Sequence, residues 1–188
     1  MRSYRALATI LTFQDHDVSE AVGELACVPC RDEFLRRTDD EATRAVLYWI
    51  MENQSPPLLP ELQRVLGDDC HDTNLAAGPG SAAAYAQDAK ATCSALQSAY
   101  ERCGFAAEDE SAPGCHVVSY VSQHLGFIAQ CLESDQQESM TTEEREVLEH
   151  SLCVWAPLFA RALAGATAHP ALVFAGVKLQ SLLADQPL

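Results

Sequence analysis

Apolar residues recur along most of the chain at intervals of three or four positions, the spacing that places them on one face of an α-helix. The first such stripe is Tyr4, Leu7 and Leu11. The clearest one consists of Val117, Val121, Leu125, Ile128 and Leu132. The sequence contains no convincing series of alternating strands and no internal repeat. The pattern therefore predicts an all-α protein.

Polar, proline and glycine positions predict where these helices begin and end. Thr38-x-x-Glu41 and Thr141-x-x-Glu144 have the form of capping boxes, which open helices. Pro157 should kink or break the helix that contains it, whereas Pro170 suits the first turn of the last helix. We predict a compact single-domain helical bundle of roughly seven to nine helices over residues 1–188.

A long central loop is predicted to divide this bundle. Residues 68–81 are acidic first and then rich in Ala, Gly and Pro, without apolar periodicity. They would separate an N-terminal helical part, 1–67, from a C-terminal helical part, 82–188. Loops of this length inside a domain are usually functional or act as hinges. Both a monomer and a domain-swapped dimer remain open.

Membrane insertion and export are not expected. The apolar stretch from Ala6 to Phe13 is much shorter than the ~20 residues that a membrane-spanning helix needs. It also lacks a small-residue cleavage site before the acidic Asp15 and Asp17. The eight cysteines are scattered rather than arranged as a dense disulfide framework. We expect mostly buried thiols and a cytoplasmic protein.

The net charge of −15 argues against a nucleic-acid-binding protein, which needs a basic face. Residues 101–149 hold eleven Asp or Glu, with Arg102 and Arg145 as the only basic side chains. This acidic zone could attract a cationic partner segment. It could equally be a solvated set of helix faces.

Cys27-Val28-Pro29-Cys30 is the most suggestive motif for chemistry, since Cys-x-x-Cys can be a redox dithiol or half of a zinc site. The redox motif normally follows a strand, and none is predicted here. A zinc site would need further ligands, for which Cys70 and its neighbours are the only evident source. Structural thiols are the favoured interpretation.

No sequence pattern indicates catalysis. Glu146 and His150 form a single helical carboxylate–histidine pair, whereas a di-metal bundle site needs two such units and further glutamates. His116, at the predicted start of a helix, should stay neutral because the positive end of the helix dipole disfavours its cation. A hydrogen-bonding cap between loop and helix is its simplest role.

Three groups of residues in the second half of the chain form a recognisable set. The first is Ala99-Tyr100-Glu101-Arg102-Cys103-Gly104-Phe105, followed by an acidic loop and Pro113-Gly114-Cys115-His116. The second is Leu125-Gly126-Phe127-Ile128-Ala129, and the C-terminal part adds Trp155-Ala156-Pro157-Leu158-Phe159 and His169-Pro170. Together these motifs resemble the TorD/DmsD/NarJ-type chaperones that mature molybdenum redox enzymes. This chain departs from the family at Cys115, where an acidic residue is usual, and over the Ala/Gly-rich residues 68–81.

The resemblance implies a compact helical chaperone that binds the apo form of a molybdenum oxidoreductase, often by its twin-arginine signal peptide. Such a chaperone delays export until molybdopterin guanine dinucleotide is inserted, and it needs no cofactor or metal of its own. Acidic residues would steer the arginines of the peptide, and His116 would fix the loop and contact peptide backbone. The predicted binding residues are Glu108, Asp109, Glu110, Pro113, Cys115, His116 and Trp155.

Two other functions stay open. One is a metal- or redox-responsive helical protein that uses Cys27, Cys30 and Cys70. The other is a helical regulatory adaptor unrelated to molybdenum.

Overall fold

The computed structural model describes residues 2–12, 17–66, 89–105, 121–133 and 155–184, together with residues 142, 145, 149 and 153. Eight helices lie within these residues, and no strand does, which confirms the all-α prediction. They are α1 (Arg2–Ile10), α2 (Ser19–Ala26), α3 (Glu33–Met51), α4 (Leu58–Leu66), α5 (Ala89–Arg102), α6 (Val121–Glu133), α7 (Ala156–Ala166) and α8 (Pro170–Ala184). The predicted loop at 68–81 lies outside the described residues.

Helix α3 begins earlier than the capping box predicted. The Asp32 carboxylate accepts hydrogen bonds from the backbone N–H groups of Phe34, at 2.8 Å, and Leu35, at 3.3 Å. These bonds satisfy two donors that the first turn of a helix leaves free, so α3 starts at Glu33. Thr38 and Glu41 lie inside the helix, and the prediction of a start there was wrong.

Prolines mark helix boundaries as expected. Pro157 is the second residue of α7. Residues 153 and 155, shortly before it, have π-helical conformation. Pro170 is the first residue of α8. At Pro170 the missing proline N–H falls where a helix has no partner for it, whereas Pro157 lies where the chain changes from π-helical to α-helical conformation.

Helix α8 is the central element of the core. It packs against both α3 and α7, while α1 packs against α6 and α2. The α7–α8 contact is close at Gly176, where an added Cβ would lie 2.9 Å from the Ala160 carbonyl oxygen. Tyr4, Leu7 and Leu11, the predicted inner face of the first helix, are all buried.

A buried ion pair fastens α8 to α3. The Lys178 side chain is 2% exposed, and its Nζ donates to Asp39 Oδ2 at 2.8 Å and to the Val28 carbonyl at 2.9 Å. The pair therefore also holds the connection between α2 and α3. Within the described chain, Asp39 Oδ1 has no hydrogen-bond partner.

The described cysteines differ in their environments. Cys30 and Cys131 are buried, as expected for thiols that act as small hydrophobes, whereas Cys27 and Cys153 are exposed. Cys27, Cys30 and Cys153 are free thiols. Within the described residues, no helix combines the length and the apolar character that crossing a membrane requires.

Candidate functional site

The predicted binding residues centre on a segment, 106–120, that lies outside the described residues. Glu108, Asp109, Glu110, Pro113, Cys115 and His116 belong to it. The structure does describe the two flanks of this segment, which are the end of α5 with Phe105 and the start of α6 at Val121. It also describes Trp155. The geometry of these flanks determines how the segment is attached to the bundle.

Helix α5 ends in a glycine-dependent C-cap. Gly104 has φ 63°, in the left-handed region that glycine adopts at little cost. The Phe105 N–H donates to the Tyr100 carbonyl at 2.9 Å, and the Gly104 N–H donates to the Glu101 carbonyl at 3.3 Å. This is the Schellman pattern of hydrogen bonds. The chain is thereby turned sharply just before the 106–120 segment.

Three rings form an aromatic cluster (Tyr100, Phe105 and Phe127) between the end of α5 and α6. Phe105 lies edge-to-face with Tyr100, with ring centroids 5.0 Å apart, and Phe127 is 4.7 Å from Tyr100 and 5.7 Å from Phe105. Gly126 leaves room for this packing, since a Cβ there would lie 3.4 Å from Phe105 Cζ. Aromatic pairs in such geometries stabilise beyond their buried area.

A hydrogen bond adds a second link between these helices. Gln130 of α6 donates from its side-chain nitrogen to the Cys103 carbonyl at 3.0 Å. Cys103 directly follows α5, and backbone acceptors at a helix end lack helical partners. Together with the aromatic cluster, this bond fastens both flanks of the 106–120 segment to each other.

His124 and Trp155 form the buried floor beside this cluster. His124 is fully buried, its Nδ1 lies 3.4 Å from the Tyr100 hydroxyl, and its ring meets Trp155 edge-on at 5.0 Å. Burial lowers the pKa of His124 to about 4, so the imidazole is neutral at pH 7. Within the described residues, His124 Nε2 has no hydrogen-bond partner.

Trp155 lies in the core rather than on the surface. It is 1% exposed, and its ring stacks on Phe159 with centroids 5.4 Å apart. In this conformation the ring presents no surface to a partner. Its ring packs edge-on against His124, and client contact by Trp155 stays a prediction.

His169, the histidine of the His-Pro motif, has a structural role at the start of α8. Its Nε2 is 3.1 Å from the Pro56 carbonyl and its Nδ1 accepts from the Ala171 N–H at 3.3 Å, which together indicate the Nε2–H tautomer. Trp49 also donates to the Pro56 carbonyl, at 2.7 Å, and its ring meets His169 edge-on. The motif therefore joins the beginning of α8 to the α3–α4 connection.

The sequence did not predict a second polar group next to this junction, formed by Glu61, Arg64 and Thr167. Glu61 receives hydrogen bonds from Arg64 and Thr167, and these bonds lower the pKa of its carboxyl to about 2. Arg64 also donates to the Ala166 carbonyl at 3.1 Å. The spacing of Glu61 and Arg64 along one helix could have signalled their pairing. Nothing local could have signalled Thr167, which is more than a hundred positions away.

The Cys-x-x-Cys motif lies apart from these groups, in the α2–α3 connection. Cys27 is exposed, whereas Cys30 is buried, and its thiol donates to the Asp32 carbonyl at 3.5 Å. Cys70, the further ligand considered for a metal, lies outside the described residues. Among the residues that the structure does describe, no group of three or more His, Cys, Asp or Glu side chains is arranged to hold a metal ion.

No protein-family model, curated protein or solved structure matches this chain. The resemblance to the TorD-type chaperones accordingly rests on the sequence motifs quoted above.

Proposed function

We propose that this protein is a cytoplasmic chaperone for the maturation of a molybdenum oxidoreductase. It binds the apoenzyme, its twin-arginine signal peptide, or both, until molybdopterin guanine dinucleotide has been inserted. Its function is binding rather than catalysis, and it uses no cofactor of its own. The 106–120 segment is the proposed contact for the client.

One observation carries this proposal: the two central motifs of the resemblance meet in space. Tyr100, Gly104 and Phe105 come from the first motif, and Gly126 and Phe127 come from the second. Their contacts attach both flanks of the 106–120 segment to the bundle. This shared task gives a physical reason for the two motifs to occur together on either side of the acidic segment.

The composition of the attached segment suits a cationic ligand. Residues 106–120 contain Glu108, Asp109 and Glu110 in succession and no Lys or Arg. A twin-arginine signal peptide presents two guanidinium groups and then an apolar stretch. Acidic residues can accelerate the encounter with such a peptide because they attract its guanidinium groups. Attachment at both flanks limits the conformational entropy that binding removes from the segment.

Peptide titration at two salt concentrations tests the role of the acidic residues. The full chain and the variant Glu108→Gln/Asp109→Asn/Glu110→Gln are titrated with a synthetic peptide that has two arginines followed by an apolar stretch. We expect the variant to bind about tenfold more weakly at low salt, a difference of about 1.4 kcal/mol. Its affinity should also depend less on salt, because fewer charges are screened.

A matched control keeps the change in net charge equal. Glu20, Glu24 and Glu52 are exposed and lie on α2 and at the end of α3. Their triple replacement by Gln removes three negative charges and should leave peptide affinity unchanged. Equal affinities for the wild type, the acidic-segment variant and this control would contradict the steering role of residues 108–110.

Identification of the client tests the chaperone function itself. The full chain is used to retrieve bound protein from its native host, grown with and without molybdenum cofactor synthesis. A molybdopterin-dependent subunit should be recovered in larger amount when the cofactor is missing. Equal recovery of cofactor-loaded and apo subunit would contradict a role before cofactor insertion.

Two other outcomes would favour the alternative functions. A partner without molybdopterin would favour the regulatory adaptor. Stoichiometric zinc or iron after anaerobic purification would favour the metal-responsive protein.

A further inference from the structure

The connection between α2 and α3 contains two thiols that the proposed function does not use. Cys27 is exposed and closes α2, where its backbone is still helical, while Cys30 is 8% exposed. The chain bends at residues 27 and 28, so it begins to turn between the two cysteines. Both are free in this structure. An accessible thiol is thus followed, three residues later, by a sheltered one.

This connection is bound to a distant helix beside Cys27, and a local hydrogen bond orders Cys30. The Val28 carbonyl accepts from Lys178 Nζ at 2.9 Å, and Lys178 is itself paired with Asp39 in the core. At the other end, the Cys30 thiol donates to the carbonyl of Asp32, the residue that caps α3. Groups held in one short, attached connection react with each other at a high effective concentration.

We propose that Cys27 and Cys30 form a reversible redox site that closes into a disulfide by exchange with a low-molecular-weight disulfide such as oxidised glutathione. The Cys27 thiolate attacks one glutathione sulfur and releases the first glutathione thiolate. The Cys30 thiolate then attacks Cys27 Sγ in the mixed disulfide and releases the second. The protein loses two protons and two electrons, which oxidised glutathione takes up to become two molecules of the thiol.

The difference in exposure assigns the order of these steps. A tripeptide disulfide can reach Cys27, whereas Cys30 is covered and reacts only with a sulfur brought to it within the chain. A disulfide sulfur carries no hydrogen, so closure removes the hydrogen bond from Cys30 to the Asp32 carbonyl. The oxidised state therefore alters the connection at the residue that caps α3.

The sequence makes this pair easy to isolate. Trypsin cuts after Arg5 and after Arg31, and the resulting peptide, residues 6–31, contains Cys27 and Cys30 and no other cysteine. The full chain is treated with oxidised glutathione, its remaining thiols are alkylated, and the digest is examined by mass spectrometry. We expect peptide 6–31 to lack alkyl groups and to be lighter by two hydrogens. Prior reduction should restore alkylation of both cysteines.

Two comparisons separate an internal disulfide from simple thiol modification. In Cys30→Ser no sulfur can displace glutathione from Cys27, so this variant should retain on the order of tenfold more glutathione on the peptide than the wild type. Cys153, another exposed thiol, serves as the reactivity control, and its adduct should be the same in both proteins.

Three results would overturn the redox site. The first is a glutathione adduct on wild-type Cys27 that is as stable as the adduct in Cys30→Ser. The second is a disulfide between peptide 6–31 and another cysteine-containing peptide. The third is full alkylation of peptide 6–31 under conditions in which Cys153 has reacted with glutathione. The wild-type measurement decides the matter by itself if the variant fails to fold. No client is needed, so the outcome is independent of the proposed chaperone function.

Discussion

Among the glycines that the structure describes, Gly176 is the one where an added Cβ would meet its neighbours most closely. A Cβ there would lie 2.9 Å from the Ala160 carbonyl oxygen and 3.0 Å from the Ala164 nitrogen. Both are backbone atoms of α7, so relief requires the helices to move apart. We expect Gly176→Ala to lower the free energy of unfolding by about 1–3 kcal/mol, measured by urea denaturation.

Gly23 provides the matched control for this substitution. It also lies within a helix, α2, but an added Cβ would meet nothing within 4 Å. Gly23→Ala should therefore stabilise the protein by about 0.5–1 kcal/mol, because alanine favours the helix and restricts the unfolded chain. Equal effects of the two substitutions would contradict the close approach of α7 and α8.

His124 should make stability depend on pH in a defined window. Burial lowers its pKa in the folded protein to about 4, against 6.5 for an unperturbed histidine. Between these values the unfolded chain takes up a proton that the folded protein excludes. Stability is therefore complete above pH 6.5, and as the pH falls to about 4 it decreases by about 3 kcal/mol.

Comparison with His124→Gln isolates this contribution from other titrating groups. His169 also has a lowered pKa, but it is present in both proteins, so its effect cancels in the comparison. The pKa of Glu61 is lowered from 4.5 to about 2, so its contribution to stability is lost only below pH 4.5. The difference in unfolding free energy between wild type and variant should change by about 3 kcal/mol from pH 7 to pH 4. A constant difference over that range would show that His124 titrates normally.

At the level of whole helices, the contact between α3 and α8 depends on a buried charge pair. Replacing Lys178 with Met would leave the Asp39 carboxylate buried without its partner, which should cost about 3–5 kcal/mol. The double variant Lys178→Met/Asp39→Leu should recover most of that loss, because it removes both buried charges. Thermal or urea unfolding of the three proteins measures the effect.

An exposed ion pair on the same helix gives the contrast. Arg37 and Glu41 are 3.0 Å apart on the outer face of α3, with side chains 90% and 54% exposed. Arg37→Ala should change stability by less than about 1 kcal/mol. If Lys178→Met were equally mild, Asp39 would have found water or another partner, and the buried pair would not be what holds α3 to α8.

The helices were largely predictable from sequence because their causes are local. Apolar spacing is a property of neighbouring residues, and so are the breaks at Pro157 and Pro170. The start of α3 was misplaced because Asp32 competed with Thr38 as a cap, and both have the required side-chain acceptor. Local patterns cannot choose between two adequate caps when the residues between them also favour a helix.

Contacts between distant residues were not predictable. The partner of Lys178 lies 139 positions earlier, and a lone lysine in an apolar stretch says nothing about which carboxylate it meets. The aromatic cluster joins Phe105 to Phe127 in the same way. Both positions belong to the motifs of the resemblance, and the structure shows that their rings pack against each other. Trp155 illustrates the reverse, since a motif residue predicted to contact the client lies in the core.

Considered as one molecule, the protein carries a large excess of negative charge. It has 27 acidic and 12 basic side chains, and among the described residues three ion pairs use basic partners, at Arg37, Arg64 and Lys178. The acidic side chains outnumber the basic ones by 15, so the net interaction among the charges is repulsive. Their mutual repulsion opposes the compact state and is weaker when salt screens it.

Stability should accordingly rise with modest salt. Between about 0.01 M and about 0.15 M NaCl the Debye length falls from about 30 Å to about 8 Å. We expect the free energy of unfolding to increase by on the order of 1 kcal/mol over this range, too low a concentration for salting-out effects to dominate. The Glu20→Gln/Glu24→Gln/Glu52→Gln variant, with a net charge of −12 (−15 + 3), should be more stable at low salt and gain less from added salt. Unfolding that is independent of salt in both proteins would contradict a net repulsion among the acidic side chains of the folded protein.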